Sequence, residues 1–230
     1  MCSESAIKFV QSCLTEEDVR GKRVLEAGSL DVNGSLRSFV IGLYPLDYTG
    51  IDLVEGPGVD EICDAEQIVA RFGPESFDLI ISTEMLEHVR NWRSVVSAFK
   101  NAIRPNGTLL ITTRSRGFGY HAFPHDFWRY SVRDMKIIFS DMIIESVQKD
   151  PEAPGTFVKA RKPPSWAEND LTFYKLHSVV KFQRALAVTD VDLRIFDIYW
   201  KIRNSLLKIC PRRLRSALRS FRNRFTDDGS

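Results

Sequence analysis

The sequence predicts an α/β fold with a doubly wound, mostly parallel sheet. Short segments that are almost wholly apolar alternate with segments in which apolar residues recur at helical spacing. Strands that are apolar on both faces are typical of a parallel sheet covered by helices on both sides. Late in the chain, a proline- and glycine-rich turn over residues 151–155 separates two further strands and predicts an antiparallel hairpin.

The same pattern places each element along the chain. Strands are predicted at residues 23–27, 48–51, 59–63, 77–82, 108–113, 142–147 and 156–160. Helices are predicted after an N-cap at Asn33, over residues 65–72 and 132–139, and through the apolar spacing from Trp92 to Ile103. Residues 104–107 should end the Trp92 helix in a glycine turn before the fifth strand.

Length and composition favour one main domain with extensions. The 230 residues are 43% hydrophobic and carry a net charge of +2, which allows one sizeable core and indicates no particular partner. We assign residues 1–20 to an amphipathic N-terminal helix, residues 21–161 to the main domain, and residues 162–230 to a helical, basic extension. Lys162-Pro163-Pro164 is predicted to be the linker into that extension.

Cysteine usage and hydropathy set the expected compartment. The four cysteines lack the spacing of a disulfide framework or a zinc site, which favours a reducing cytoplasm. No apolar run reaches membrane-spanning length, so we expect a soluble or at most surface-attached protein.

Acidic residues stand at the ends of the predicted strands. Glu26 and Gly28 close the first strand, and Asp52, Asp64 and Glu84 follow the second, third and fourth. Ligands of doubly wound sheets bind beyond the carboxyl ends of the strands. We therefore expect these residues to converge on one ligand.

Four ordered motifs carry a family resemblance. They are Leu25-Glu26-Ala27-Gly28, the acid Asp52, the segment 77–89 that contains Ser82-Thr83-Glu84-Met85-Leu86-Glu87-His88, and Arg104-Pro105-Asn106-Gly107 with the apolar residues after it. Together they cover roughly residues 20–160 and resemble class I S-adenosylmethionine-dependent methyltransferases. The later segment His125-Asp126-Phe127-Trp128-Arg129-Tyr130 also resembles a segment of polysaccharide and natural-product O-methyltransferases. The resemblance implies a Rossmann-like fold and S-adenosylmethionine as the cofactor.

The resemblance also implies a role for each strand-end residue. Gly28 would let the backbone approach the amino-acid end of the cofactor, where Glu26 would bind the ammonium group. The two oxygens of Asp52 would accept the two ribose hydroxyls, and Asp64 would meet the adenine amino group. Each acid also has a plainer interpretation, as the cap of a following helix or turn. The other implied cofactor residues are Ser29, Leu53, Ala65, Glu84 and Met85.

One part of the first motif departs from the family pattern. Leu30 and Val32 stand where the family usually has its second and third glycines, so only Gly28 remains, with Gly34 just after. This departure leaves a silent cofactor pocket as one interpretation. It also disfavours a nicotinamide dinucleotide, because the Gly-x-Gly-x-x-Gly turn that receives a pyrophosphate is absent from the sequence.

Glu84, Glu87 and His88 form a candidate metal site. In a helical turn these residues share one face, and His121 or His125 could complete the ligands of a divalent cation such as Mg²⁺. The segment resembles the Glu-x-x-Glu-His segment of ubiquinone-pathway and small-RNA O-methyltransferases. Without a metal, Glu84 and Met85 would line the floor of the cofactor site, while Glu87 and His88 would make hydrogen bonds at the start of the helix.

The aromatic segment 117–130 is the candidate acceptor site. His121 and His125 could remove the proton of the methyl acceptor, since a histidine titrates near neutrality. Arg129 could anchor an acidic substrate and Tyr130 could contact a ring. In the alternative interpretation the aromatic residues pack as core, and Asp126 pairs with Arg129 to fix the loop.

The C-terminal sequence predicts a basic amphipathic helix. Residues 201–225 contain no acid, and Leu214, Leu218, Phe221 and Phe225 recur at helical spacing among arginines. Such a helix could lie on an anionic membrane, pack on the domain, or fray. Nucleic acid is disfavoured because no recognition motif accompanies the charge.

These observations predict an S-adenosylmethionine-dependent methyltransferase. Its expected acceptor is a hydroxyl of a sugar or other small molecule, because no Asn-Pro-Pro-Tyr type segment follows the fourth strand. The alternative is a catalytically silent protein of the same fold that acts as a partner or membrane-associated scaffold. The expected location is cytoplasmic, with peripheral contact at the inner membrane surface as an option, and the sequence leaves the oligomeric state open.

Overall fold

The computed structural model describes residues 3–122 and 125–209, without the side chains of residues 206–209. Its strands are β1 (Arg23–Ala27), β2 (Asp47–Asp52), β3 (Glu61–Ile62), β4 (Phe77–Thr83), β5 (Ile103–Arg114), β6 (Trp128–Arg129), β7 (Ile143–Lys149), β8 (Gly155–Arg161), β9 (Leu176–Ser178) and β10 (Gln183–Ala185). Its helices are α1 (Glu4–Cys13), α2 (Glu16–Val19), α3 (Arg37–Ile41), α4 (Ile68–Phe72), α5 (Trp92–Ala102), α6 (Val132–Ile138) and α7 (Asp190–Ile209). Short 3-10 turns span Ala65–Gln67 and Leu86–His88.

The main sheet has the predicted doubly wound topology. Its seven strands run in the order β3-β2-β1-β4-β5-β8-β7. The first five pair in parallel, whereas β8 is antiparallel to both β5 and β7. The predicted α/β class and the late antiparallel hairpin are therefore confirmed, and the carboxyl ends of the parallel strands meet at one edge.

Apolar cores cover both faces of this sheet. Leu25 belongs to the cluster that also contains Phe99 of α5, while its neighbour Val24 belongs to the cluster that contains Phe9 of α1. Successive strand residues point to opposite faces, so a strand buried on both sides must be apolar throughout. This explains why the central strands show no polar alternation.

Several element boundaries differ from the sequence prediction. Instead of one helix over residues 1–20, the described residues there form two helices, α1 and α2. Helix α3 begins at Arg37, because the residues after Asn33 instead form a turn in which the main-chain N–H of Gly34 donates to Asp31. Strand β5 begins at Ile103, so the predicted glycine turn lies inside the strand. Asn106 there has a φ of +64°. The kinked segment is held by main-chain hydrogen bonds to Lys162.

The C-terminal extension is not helical throughout. Strands β9 and β10 precede α7 and form a second sheet with β6, in the order β10-β9-β6. Arg93 of α5 holds this part of the chain through its guanidinium, which donates to the carbonyls of Leu171, Tyr174 and Leu186. The predicted linker is also anchored, because the buried ammonium of Lys162 donates to the carbonyl of Ile103 at 2.9 Å.

Two predictions concern the C-terminal part of the chain. The basic segment with Leu214, Leu218, Phe221 and Phe225 lies outside the described residues. Among the residues that are described, none of the helices combines the length and the apolar character required to cross a bilayer.

Candidate functional site

The loop after β1 meets the loop after β4 at the carboxyl edge of the sheet. Gly28 has a φ of +80°, and a Cβ added to it would lie 2.9 Å from the Cβ of Met85. Real Cβ atoms do not approach this closely, so only glycine fits at this position. The structure thus brings together two of the predicted cofactor residues.

Asp52 is fixed at the end of β2 by the same loop. Its Oδ2 accepts the N–H of Leu30 at 3.2 Å, and its Oδ1 accepts the N–H of Leu53 at 2.7 Å. The main-chain N–H groups of Gly28 and Ser29 both donate to the carbonyl of Ile51. A carboxylate offers about four lone-pair directions, so the half-buried Asp52 keeps acceptor capacity for two hydroxyls.

The first motif lacks glycines at Leu30 and Val32, but the turn after β2 that packs against it contains Gly56 and Gly58. A Cβ on Gly56 would lie 2.4 Å from Cδ1 of Leu30, and one on Gly58 would lie 2.5 Å from the carbonyl oxygen of Ser29. The two loops therefore still approach each other closely, and the glycines that allow this lie in the turn after β2. Val32 is exposed and does not fill this contact.

Glu26 is a buried acid on β1. The hydroxyl of Tyr48 donates to its Oε2, and burial raises the pKa of Glu26 from its ordinary value to about 8. Burial therefore favours the neutral carboxyl of Glu26, and a positive ligand group beside it would favour the ionised form. The environment of Glu26 therefore fits the predicted partner, the ammonium group of the cofactor.

Asp64 and Ala65 lie where β3 passes into the first 3-10 turn. The exposed carboxylate of Asp64 accepts the N–H of Glu66 at 2.9 Å, so it caps the turn, while Ala65 is buried. This is the plainer of the two interpretations made from the sequence. The adenine contact of Asp64 stays a prediction, since its Oδ2 is left for another donor.

Glu84 joins the N-terminal segment to β5. Its carboxylate accepts the N–H and the hydroxyl of Ser3 at 3.1 and 2.6 Å, and it lies 2.5 Å from Nη2 of Arg114. Burial raises the pKa of Glu84, although Ser3 and Arg114 oppose this shift. Because Glu84 has a φ of +51°, it ends β4 in a left-handed turn, and the assumed helical face with Glu87 and His88 does not form.

Glu87, His88 and His121 do come together. One potential ligand atom of each lies within 4.8 Å of the others, and Glu84 is not part of this group. Glu87 is fully buried, and its Oε2 accepts the hydroxyl of Thr113 at 2.8 Å. Its Oε1 has no hydrogen-bond partner among the described residues and lies 3.9 Å from Nε2 of His121.

Both imidazoles of the group are oriented through Nδ1. The Nδ1 of His88 lies 2.7 Å from the carbonyl oxygen of His125, so it carries the proton and donates. The Nδ1 of His121 lies 3.0 Å from Oδ2 of Asp126. Each Nε2 is thereby left as the acceptor, which is the arrangement found for metal-ligating and base-acting histidines.

Asp126 is enclosed and ionised. Burial opposes its ionisation, but hydrogen bonds from Arg129 and His121 outweigh burial and lower the pKa of Asp126. Both nitrogens Nη1 and Nη2 of Arg129 donate to this carboxylate. The structure thus contains the Asp126–Arg129 pair of the alternative interpretation, and the same aspartate also holds His121.

The structure places three other predicted residues away from an open site. Arg129 and Tyr130 are both buried, and the hydroxyl of Tyr130 donates to the carbonyl of Leu86 at 3.1 Å. A substrate contact by either side chain would require the surrounding loop to open. The imidazole of His125 packs against Phe127. The main-chain carbonyl of His125 accepts the hydrogen bond from Nδ1 of His88.

Sequence reasoning missed Arg114 and Ser3 as parts of the site. Arg114 ends the buried part of β5 at the ligand-binding edge, and a charge at that position was the available signal. Ser3 gave no signal beyond its suitability as an N-cap, which it also provides to α1. Their contacts join parts of the chain far apart in sequence.

The strand order, the glycine-bearing loop after β1 and the acid after β2 define a class I S-adenosylmethionine-dependent methyltransferase. A family model described as a methyltransferase domain matches residues 3–153, and the chain belongs to this family. Its cofactor is accordingly S-adenosylmethionine. The close contact at Gly28 and the acceptor capacity of Asp52 fit the methionine part and the ribose of that molecule.

Curated relatives and solved structures agree with this assignment. Ubiquinone biosynthesis O-methyltransferases of Idiomarina loihiensis and Dechloromonas aromatica are 32% and 28% identical, over 42% and 64% of this chain. The matches span 44% and 63% of those proteins, so the chain aligns with less than two thirds of either relative.

The solved structures show the fold. An S-adenosylmethionine-dependent methyltransferase from Mesorhizobium loti has a TM-score of 0.57 at 18% identity, covering 70% of this chain and 99% of that one. The 1,6-didemethyltoxoflavin-N1-methyltransferase of Burkholderia thailandensis, solved with S-adenosylhomocysteine, has a TM-score of 0.55 at 17% identity, covering 70% and 80%.

Proposed function

We propose that the protein transfers the methyl group of S-adenosylmethionine to a hydroxyl oxygen of a sugar or other small molecule. The observation that carries this proposal is the buried Oε1 of Glu87, which lacks a hydrogen-bond partner among the described residues and faces Nε2 of His121. A buried carboxylate oxygen without a partner is costly and is retained where it serves a ligand. The names of the curated relatives also favour oxygen as the acceptor atom.

Glu87, His88 and His121 include a base that can remove the hydroxyl proton, as an O-methylation requires. The sulfonium is a good leaving group, so the enzyme chiefly has to align the acceptor oxygen and take its proton. The Nε2 of His121 can accept that proton, because its Nδ1 is held by Asp126. The negative charge of Asp126 then stabilises the imidazolium that forms.

The same three side chains fit a divalent cation. Two imidazole nitrogens and one carboxylate oxygen could serve as metal ligands. The other ring nitrogen of each histidine is already held, by the carbonyl of His125 and by the carboxylate of Asp126. A bound cation would lower the pKa of a coordinated hydroxyl. Imidazole nitrogens suit Zn²⁺ better than Mg²⁺, so we propose Zn²⁺ in place of magnesium.

The test combines product analysis with one substitution. The purified full chain is incubated with isotopically labelled S-adenosylmethionine and a panel of phenols, catechols and sugars, and the methylated atom is located by mass spectrometry. Glu87→Gln should lower turnover on the order of 100-fold. It should leave the affinity for S-adenosylhomocysteine unchanged, and Glu55→Gln, an exposed residue after β2, is the matched control.

Each result bears on one part of the proposal. A methyl group found on nitrogen or carbon would refute O-methylation, and full activity of Glu87→Gln would remove the group from the reaction. Loss of activity in strong chelator, its return with Zn²⁺, and Zn²⁺ binding by wild type but not His88→Ala in calorimetry would support the cation. Activity that survives chelation would instead leave His121 as the base. Absence of S-adenosylhomocysteine binding at millimolar ligand would favour the silent-fold alternative.

A further inference from the structure

Helix α7 carries an apolar stripe that the described residues leave exposed. Val191, Ile195, Ile198 and Ile202 are each 56–62% exposed. Their spacing places them on one side of the helix, over about three turns or 17 Å. The packed side of the helix carries Phe196, so α7 is apolar on two sides and only one of them is covered by the described chain.

Two aromatic residues widen this stripe. Tyr199 borders it on α7, and Phe182 precedes β10; they are 45% and 58% exposed, with ring centroids 5.3 Å apart. Phe182 also packs against Phe196, so the patch is fixed to the body of the protein. Contiguous exposed apolar surface of this kind marks an interaction site more often than isolated apolar residues do.

The charges around the stripe are basic. Arg194 and Lys201 are exposed on one flank of α7. Two acids of the helix are already paired, Asp190 with Arg90 and Asp192 with Lys181. The third, Asp197, lies further round the helix towards its packed side. In sequence, residues 201–225 add Lys or Arg repeatedly and contain no Asp or Glu.

We infer that α7 is a docking surface for an anionic lipid bilayer, with the stripe inserted among the acyl chains. A helix with an apolar face and basic flanks lies in the plane of the membrane interface. The long side chains of Arg194 and Lys201 can reach the headgroups while the Ile and Val side chains are buried. Each basic residue near the surface strengthens binding roughly fivefold.

The charge pattern favours a bilayer over a second copy of the chain. A symmetric dimer through the stripe would bring the basic flank of each α7 beside that of its partner. Like charges brought together in this way oppose association, whereas anionic headgroups neutralise Arg194 and Lys201. The inference does not depend on the methyl acceptor, and S-adenosylhomocysteine affinity reports separately on the methyltransferase domain.

The test is sedimentation of the full chain with phosphatidylcholine vesicles, with and without phosphatidylglycerol. Wild type should bind the anionic vesicles at least tenfold more strongly. Ile198→Asp should lower this binding on the order of tenfold or more, because it places a charge in the inserted face. Arg194→Gln with Lys201→Gln should lower it on the order of 20-fold and reduce the preference for the anionic vesicles.

Leu46→Asp is the matched control, because Leu46 is 71% exposed at a position remote in sequence from α7. It should bind vesicles as wild type does, and all variants should keep their affinity for S-adenosylhomocysteine. Equal binding to both vesicle types, or none, would overturn the inference. So would a dimer in sedimentation equilibrium that Ile198→Asp dissociates without any change in vesicle binding, since the stripe would then join two copies.

Discussion

The carboxylate of Asp126 lies 3.0 Å from Nδ1 of His121, and it also accepts the main-chain N–H of the same residue at 3.0 Å. One buried aspartate therefore fixes both the backbone and the ring of this histidine. Because Nδ1 is engaged as the donor, Nε2 is left as the acceptor, and it lies 3.9 Å from Oε1 of Glu87. In the proposed reaction Asp126 would be a positioning residue, since it would act on the reacting atoms through His121.

We expect Asp126→Asn to impair turnover through the ring of His121. The amide can present its own N–H to Nδ1 and so favour the wrong tautomer, which should lower kcat roughly 10- to 100-fold. The affinity for S-adenosylhomocysteine should stay unchanged, and the acid limb of the kcat–pH profile should move. These are measured by steady-state kinetics across pH and by calorimetric titration.

Arg129→Gln is the control for a purely structural effect. It removes the other side of the Asp126–Arg129 pair but leaves the carboxylate beside His121. It should therefore cost stability without the shift in the pH profile. If both variants lose turnover equally, with the same profile as wild type, Asp126 only holds the loop together.

Gly28→Ala tests the contact between the loops after β1 and β4. A methyl group there would meet the Cβ of Met85 at 2.9 Å, in addition to the strain of a positive φ. We expect a loss of about 2–4 kcal/mol in the free energy of unfolding and weaker cofactor binding. Denaturant unfolding and titration with S-adenosylhomocysteine measure the two effects.

Gly21→Ala separates strain from contact. Gly21 also has a positive φ, +68°, but a Cβ there meets nothing within 4 Å. Its substitution should cost only about 1 kcal/mol and leave cofactor binding intact. Equal destabilisation by the two substitutions would mean that the side chain of Met85 moves aside and that the contact at Gly28 is not tight.

The sheet could be predicted because its signals are local. Each central strand is apolar on both faces, and each is followed by a polar or glycine residue that must lie at the carboxyl edge. Asp52 was therefore assigned to that edge from its place in the chain alone. The structure adds that its carboxylate is held by main-chain groups on both sides, from Leu30 and Leu53.

The site around Glu87 could be predicted only in part, because its geometry depends on one backbone angle and on distant contacts. A helical turn would have grouped Glu84 with Glu87 and His88, but the positive φ of Glu84 turns its carboxylate towards Arg114 instead. Similarly, β9 pairs with β6 across a long stretch of sequence, and neither short strand has a periodic signal. Such pairings follow from the folded chain and not from local pattern.

Asp52→Ala should remove most of the cofactor affinity. The carboxylate is the predicted acceptor for both ribose hydroxyls, and hydrogen bonds to a charged group contribute roughly 1.5–3 kcal/mol each. We expect S-adenosylhomocysteine to bind on the order of 100-fold more weakly in calorimetry. Asp47→Ala, at the exposed opposite end of β2, should bind as wild type does. Unchanged affinity of Asp52→Ala would place the ribose elsewhere.

Glu26 should make the stability of the protein depend on pH. Burial raises the pKa of Glu26 in the folded state to about 8, above its ordinary value of 4.5. The stability that this carboxyl contributes is therefore fully present below pH 4.5 and is lost as the pH rises towards 8. Across that window, the free energy of unfolding should fall relative to Glu26→Gln by roughly 1.4 kcal/mol per pH unit.

Denaturant unfolding at several pH values between 5 and 8 measures this difference, with the exposed Glu17→Gln on α2 as the surface control. Saturating S-adenosylhomocysteine should flatten the wild-type curve, because an ammonium group beside Glu26 favours the ionised carboxylate. Parallel curves for wild type and Glu26→Gln would show that Glu26 is ionised without the cofactor. A slope that the cofactor leaves unchanged would instead place the ammonium away from Glu26.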